Sequence, residues 1–214
     1  MTAYKRNTML ESSWQRCWGS LVSDSQAYGR GNSVMQLLIA AYNEPQRKYH
    51  TEQHLRECLS IFNDHRALAE EPAEIEMALW FHDAIYDIKA TGGKNEDQSA
   101  DWAVEELQKA NVAPERVARI KDHILATKHS ALPQGADQQL LVDIDLAILG
   151  AQPERFAEYE QQVRQEYRHV PGLIFNWKRK QILKAFLARS PIYATPQLKA
   201  RFEQQARQNL AGAI

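Results

Sequence analysis

Helical periodicity is the feature that most constrains the fold of this 214-residue chain. Apolar residues recur at spacings of three and four along most of its length, which is the spacing of one face of an α-helix. No stretch alternates apolar and polar residues between hairpin turns, so we expect no sheet. Clear examples of the helical stripe are Leu55-Cys58-Leu59-Phe62 and Leu198-Phe202-Ala206-Leu210.

Prolines and glycines divide the periodic stretches into separate helices. Four prolines stand at the start of such stretches, where a missing N–H removes no helical hydrogen bond: Pro72, Pro114, Pro153 and Pro196. We expect stop signals at Gly92-Gly93, Gly150 and Ser190-Pro191. The sequence therefore predicts one all-α domain over residues 1–214, a bundle of about eight to ten helices.

Composition and charge exclude several classes of protein. Hydrophobic residues make up 44% of the chain and charged residues 25%, which is typical of a globular protein. The formal charge of −1 gives no overall attraction to nucleic acids or anionic membranes, and no apolar run approaches the roughly 18 residues of a membrane span. Cys17 and Cys58 form no disulfide framework. We expect a soluble cytoplasmic protein that binds no nucleic-acid polymer and no membrane.

A histidine and two carboxylates interrupt the apolar stripes. His82 occupies a position where its helix would be expected to carry leucine, and Asp83 follows it. On a helical wheel, Asp145 lies in the apolar sector of its helix, whereas Asp143 is predicted to point toward solvent. A buried carboxylate is costly unless it is paired or bound to a cation. The partner of Asp145 is therefore either an internal arginine, such as Arg164 or Arg179, or a metal ion.

Together with His54, these residues form a candidate metal site. His54, His82, Asp83 and Asp145 offer two imidazoles and two carboxylates from three predicted helices. Mixed nitrogen and oxygen ligands suit Mn, Co, Ni, Fe or Zn better than Ca or Mg. The spacing alone does not decide whether the four side chains meet.

The order of these residues, His and then His-Asp and then Asp on successive helices, resembles the HD superfamily of metal-dependent phosphohydrolases. It is similar in particular to the bacterial group of predicted HD-superfamily phosphohydrolases. The resemblance implies an HD-domain helical bundle, a divalent metal held by these four residues, and a small phosphorylated substrate. It runs from about Arg47 to Ala206 and rests on the segments RKYHTEQHL (47–55), ALWFHDAIYD (78–87), NEDQSA (95–100), ATKHS (126–130), DIDLAILG (143–150) and VRQEY (163–167).

The segment from Tyr49 to His54 also resembles the YHNxxH motif of cyclic-nucleotide phosphodiesterases. In that motif the second histidine binds metal and the first donates a proton, which implies that His54 is a ligand and His50 the acid. His50 is expected one helical turn before His54, facing the same pocket. Thr51 replaces the asparagine of the motif, so specificity for cyclic nucleotides is not implied.

Five further residues are candidates near this site. Asp87 and Glu96 could orient water or help to hold a second metal, or they could be ordinary loop and helix-terminal carboxylates. Lys128 and His129 could meet phosphate or a second metal, or have surface roles. The resemblance places Arg47 beside the pocket as a substrate-binding residue.

Two other functions remain open from the sequence. The HD fold also hosts di-iron oxygenases, which need further histidine ligands, and His123 and His129 are available for that purpose. A non-catalytic sensor or binding module that retains the metal site is the other alternative. The sequence does not determine the oligomeric state, and a homodimer is one assembly that it allows.

Overall fold

The structure, a computed structural model, describes residues 2–23, 27–90 and 92–214. These residues form an all-α bundle and contain no strand, which confirms the predicted fold class. No helix among them is long and apolar enough to cross a membrane. The ten α-helices are α1 (Thr2–Leu21), α2 (Ala27–Tyr42), α3 (Glu52–His65), α4 (Pro72–Phe81), α5 (Lys94–Lys109), α6 (Pro114–Ala126), α7 (Gly135–Asp145), α8 (Pro153–Glu166), α9 (Gly172–Leu187) and α10 (Pro196–Ala213).

The predicted helix boundaries are mostly confirmed. All four prolines lie at the first turn of a helix, and a 3-10 turn that follows α7 ends at Gly150. Gly93 differs from the prediction, because it precedes α5 instead of ending a helix. Its φ of 76° is left-handed, a backbone conformation that favours glycine at this turn.

Helix α4 is the centre of the bundle. Every residue from Ala73 to Phe81 is buried, and α4 contacts α1, α3, α5, α6 and α7. A helix that is surrounded in this way is expected to be apolar on all sides. Glu74 and Glu76 are exceptions, since both are 0% exposed.

Arginines from neighbouring segments neutralise these two glutamates. Glu76 accepts hydrogen bonds from Arg16 Nε at 3.0 Å and from Arg66 Nη1 at 2.8 Å. Glu74 accepts from Arg119 Nε and Nη2 at 2.8 and 2.7 Å. An unpaired carboxylate in this position would cost several kcal/mol, so the arginines allow α4 to occupy the centre.

Asp143 corrects one prediction, because its side chain points into the protein and the residue is only 1% exposed. Its carboxylate accepts hydrogen bonds from the backbone N–H groups of Ala194 (3.1 Å) and Thr195 (2.6 Å). The helical wheel assumes one solvent face, but α7 is buried on both sides from Leu140 to Ile144. Asp143 therefore ties α7 to the segment that leads into α10.

We predict that Asp143→Ala lowers the free energy of unfolding by about 1–3 kcal/mol, because two buried N–H groups lose their acceptor. Urea unfolding measures the change. Asp101→Ala is the control, since Asp101 is an exposed partner of Lys121 and should change stability by less than about 0.5 kcal/mol. A neutral Asp143→Ala variant would contradict this role.

Candidate metal centre and adjoining cavity

The His-Asp pair lies just after α4, which ends at Phe81 instead of continuing. The backbone carbonyls of Asp83 and Ala84 accept hydrogen bonds from Arg47 Nη1 (2.6 Å) and Nη2 (2.8 Å). Because these carbonyls are bonded outside the helix, the chain turns here and the two side chains of the pair stay beside the core.

Arg47 is therefore a residue that shapes the turn. Its side chain is 0% exposed, and Nη1 also donates to the carbonyl of His50 at 3.2 Å. The guanidinium thus joins the segment that precedes α3 to the segment that follows α4. This geometry does not support the predicted contact with substrate.

Four side chains from two helices and one turn converge at this point. His54 comes from α3, His82 and Asp83 from the turn after α4, and Asp145 from the end of α7. His54 Nε2 lies 3.1 Å from His82 Nε2, 3.4 Å from Asp83 Oδ2 and 3.2 Å from Asp145 Oδ1. His82 Nε2 lies 3.2 Å from Asp83 Oδ2 and 3.6 Å from Asp145 Oδ1.

These distances fit the donor atoms of a metal site. Ligands bound about 2.0–2.2 Å from one ion stand about 2.8–3.6 Å apart at tetrahedral or cis-octahedral angles. His82 Nδ1 lies 2.8 Å from the carbonyl oxygen of Leu79, to which it can donate, so the lone pair of Nε2 can face the cluster. The buried group of His54, Cys58, His82 and Asp145 could therefore hold a metal ion, and the distances above make Asp83 a further candidate donor.

Cys58 is a second candidate for the fourth ligand. His54, Cys58, His82 and Asp145 also bring their donor atoms within 4.8 Å of one another. However, Cys58 Sγ lies 3.7 Å from both Nδ1 and Nε2 of His54. The sulfur is therefore equally distant from the two ring nitrogens and does not lie along the Nε2 lone pair of His54, near which the other donor atoms lie. The geometry favours Asp83 over Cys58.

Both carboxylates of the cluster are anionic at neutral pH, as metal ligands must be. Without an ion, burial opposes ionisation, but the charge of protonated His82 and hydrogen bonds from His54 and His82 hold the pKa of Asp83 well below its usual range. A bound ion would replace these imidazole protons. The pKa of Asp145 is likewise well below its usual range, because hydrogen bonds from His129, His54 and His82 outweigh its burial.

His129 and Glu96 lie beside the cluster. His129 Nε2 lies 3.0 Å from Asp145 Oδ2, which leaves the other oxygen of Asp145 toward His54. Glu96 is in the first turn of α5, where burial and the nearby charges of Asp83 and Asp145 raise its pKa. Both residues can thus influence the charge of the centre.

Lys128 and Asp87 are engaged elsewhere. Lys128 Nζ forms an ion pair with Asp97 Oδ1 at 2.5 Å. Asp87 is exposed, its Oδ1 accepts a hydrogen bond from Lys89 N at 2.8 Å, and it lines a different groove. The structure places neither of these two side chains against the four clustered donors.

The structure also bears on two alternatives that the sequence left open, an arginine partner for Asp145 and a histidine ligand for a di-iron site. Arg164 donates to the carbonyls of Tyr167 and Val170, and Arg179 pairs with Glu160, so neither neutralises Asp145. His123, a ligand in the oxygenase alternative, is buried near the charges of Glu74, Asp122 and Asp137, and it is not among the clustered residues.

A cavity of about 570 Å³ opens beside the cluster. His50, Asp83 and Glu96 line it, and exposed lysines and aromatic rings form much of the remaining wall. A cavity of this size can accommodate a small molecule. The lysines are Lys89, Lys94 and Lys178, and the rings are Tyr86, Tyr159, Tyr167 and Phe175.

His50 enters the cavity from the segment before α3, not from within that helix as predicted. Glu166, which is 1% exposed, holds this segment. Its Oε1 accepts from the backbone N–H groups of Lys48 (2.8 Å), Tyr49 (2.8 Å) and His50 (3.1 Å). Its Oε2 lies 2.9 Å from His50 Nδ1 and accepts from Tyr86 Oη at 3.0 Å.

Glu166 is not among the residues predicted from the sequence, although the sequence carries a signal for it. On α8 the buried residues Phe156, Tyr159 and Val163 continue to Glu166 at helical spacing. An acidic residue thus stands on an apolar stripe, as Asp145 does. Tyr167 follows directly and also suits the stripe, which obscured the anomaly.

Comparisons with known proteins do not identify a family. No family profile, curated protein or solved structure matches this chain. The resemblance to HD phosphohydrolases therefore remains a hypothesis that rests on the motifs and on the site geometry.

We predict that Glu166 contributes to stability in a pH-dependent way. Its burial opposes ionisation, but His50 and the backbone N–H groups lower its pKa from 4.5 to about 2. The stabilisation is therefore complete above pH 4.5 and is lost as the pH falls toward 2. Relative to Glu166→Gln, the wild-type chain should be about 2–3 kcal/mol more stable at pH 7, and this difference should shrink on acidification. A pH-independent difference in urea unfolding would contradict the assignment.

A second prediction concerns the fourth ligand. Asp83→Asn should weaken binding of Mn or Zn by at least about 10²-fold, because it removes an anionic donor, whereas Cys58→Ala should change it only a few-fold. Calorimetric titration of metal-free protein measures both affinities. The reverse order would identify Cys58 as the ligand.

Proposed function

We propose that this protein is a metal-dependent phosphohydrolase of small phosphate esters. The observation that carries the proposal is the convergence of His54, His82, Asp83 and Asp145 beside a cavity that also contains His50. Hydrolysis of a phosphate ester needs an electrophilic centre, a proton donor and room for a substrate. This arrangement offers all three within one region.

The donor set supports a divalent ion of the Mn, Co, Ni, Fe or Zn class rather than Mg, because two of the four donors are imidazoles. When bound, such an ion supplies Lewis acidity toward a phosphoryl oxygen and makes a nucleophile available near neutral pH. Asp83 and Asp145 balance its charge. His129 Nε2 forms a hydrogen bond with Oδ2 of Asp145 and thereby keeps Oδ1 of Asp145 turned toward His54.

His50 is the proposed proton donor to the leaving oxygen. Glu166 bonds Nδ1, so Nε2 is the nitrogen left to carry a proton into the cavity. Tyr86 stacks on the His50 ring with centroids 4.2 Å apart, and its hydroxyl also bonds Glu166. The imidazole is therefore held in position before substrate binds, which reduces the cost of orienting it for proton transfer.

The remaining walls of the cavity suit a small anionic substrate. Lys89, Lys94 and Lys178 lie around it and can attract a phosphate group. The proposed substrate is a small phosphate ester, which a cavity of about 570 Å³ can accommodate. A cytoplasmic location is consistent with the two free cysteines, Cys17 and Cys58.

Metal analysis followed by a phosphate-release screen tests the proposal. Purified protein should contain a transition metal, and it should release phosphate from at least one nucleotide or sugar phosphate with Mn, Co or Ni. An Asp145→Ala variant is the control for contaminating phosphatase. Absence of phosphate release from metal-loaded protein, together with ligand-induced thermal shifts, would instead indicate a binding module.

We predict that His50→Ala retains its metal but loses about 10²–10⁴-fold in turnover on alkyl phosphates, the usual contribution of acid–base catalysis. The loss should be much smaller on nitrophenyl phosphates, whose leaving group needs no proton. Steady-state kinetics on both substrates measure the difference. His65→Ala, a change at the far end of α3, is the matched control. An equal loss on both substrates would show that His50 only positions the site.

A further inference from the structure

The net charge of the whole chain is near zero, but its charged residues are distributed very unevenly along the sequence. Residues 167–202 contain eight Lys and Arg residues and no Asp or Glu. This segment includes all of α9. Lys178, Lys180 and Lys184 on α9 are exposed, and none forms an ion pair within the described part of the chain. A local excess of positive charge can attract an anionic partner even when the net charge is near zero.

The same helix carries most of the exposed apolar surface. Among the described residues, six large apolar side chains are exposed, and four of them are on α9. Leu173 is 88% exposed and Trp177, one helical turn later, is 63% exposed. Only Leu183 of α9 is buried. We call Leu173, Ile174, Trp177, Lys180 and Lys184 the α9 patch.

The chemistry of the α9 patch discriminates between possible partners. A two-fold contact with a second copy would place this positive helix against itself, which like-charge repulsion opposes. A nucleic acid would satisfy the lysines but leave the exposed leucine and tryptophan side chains in water. An anionic bilayer satisfies both, because lysines reach the headgroups while leucine and tryptophan enter the interfacial layer.

Although the net charge of the chain predicts no membrane binding, we propose that the α9 patch docks this protein on the surface of an anionic lipid bilayer, without crossing it. Lys178 and Ile182, on the same helix, line the cavity beside the metal centre. The proposal concerns α9 alone and does not depend on the chemistry of the metal centre.

Vesicle co-sedimentation of the full chain tests the proposal. The protein should bind vesicles of phosphatidylcholine mixed with phosphatidylglycerol, and bind vesicles of phosphatidylcholine alone much more weakly. Lys180→Gln with Lys184→Gln should lower the partition coefficient about 10- to 30-fold. Lys109→Gln with Lys121→Gln changes the net charge equally on α5 and α6, and should lower it no more than about threefold.

The apolar half of the patch is tested separately. Leu173→Ala with Trp177→Ala should lower the partition coefficient at least about tenfold, whereas Leu132→Ala, which alters another exposed leucine, should not. Trp177 is the exposed indole of the chain, so vesicles should shift the fluorescence of the wild type to shorter wavelength and not that of the double variant. Unfolding curves confirm that the variants fold.

Two results would overturn the proposal. One is equal or absent binding to the two kinds of vesicle. The other is a dimer, seen by sedimentation without lipid, that Leu173→Ala with Trp177→Ala dissociates, since this would show that a second copy covers the patch.

Discussion

Complete burial of α4 is the constraint on which the rest of the structure depends. Helices on several sides must pack against it, so its C-terminal end lies in the interior and not at the surface. That position puts His82 and Asp83 where residues from α3 and α7 can reach them. Burial on all sides also brings Glu74 and Glu76 into the core, and arginines from other segments compensate their charge. Burial of α4 thus both requires the arginine partners of its glutamates and sets the position of the candidate metal site.

Two buried polar residues organise the cavity without belonging to the four-donor cluster. Arg47 bonds the carbonyls of the turn after α4, and Glu166 bonds three consecutive N–H groups before α3. Buried N–H and C=O groups of non-helical segments need hydrogen-bond partners. In each of these two segments a charged side chain provides those hydrogen bonds and holds the backbone in place. This explains how His50 and Asp83, which lie outside regular helices, are nevertheless held in definite positions.

The positions of the candidate ligands could be predicted because the same physical anomaly marks them. His82 and Asp145 are polar residues at helical positions where the pattern expects apolar ones, and burial gives such residues a cost that a partner must offset. Asp143 and Glu166 could not be predicted in this way. A helical wheel assumes one solvent face, and α7 has none along its buried stretch, so Asp143 is buried as well. Glu166 was not predicted because the next residue, Tyr167, fits the apolar stripe of α8 equally well.

The sequence by itself determined the all-α class, the starts of four helices at prolines, and two of the residues whose polarity conflicts with their position on an apolar stripe, His82 and Asp145. These properties depend on local spacing and backbone chemistry, which a short stretch of chain carries. Only the tertiary structure decided that His54, His82, Asp83 and Asp145 meet within 3.1–3.6 Å, and that Glu166 orients His50. Contacts between residues up to 118 positions apart depend on how the helices pack, and no local pattern encodes that arrangement.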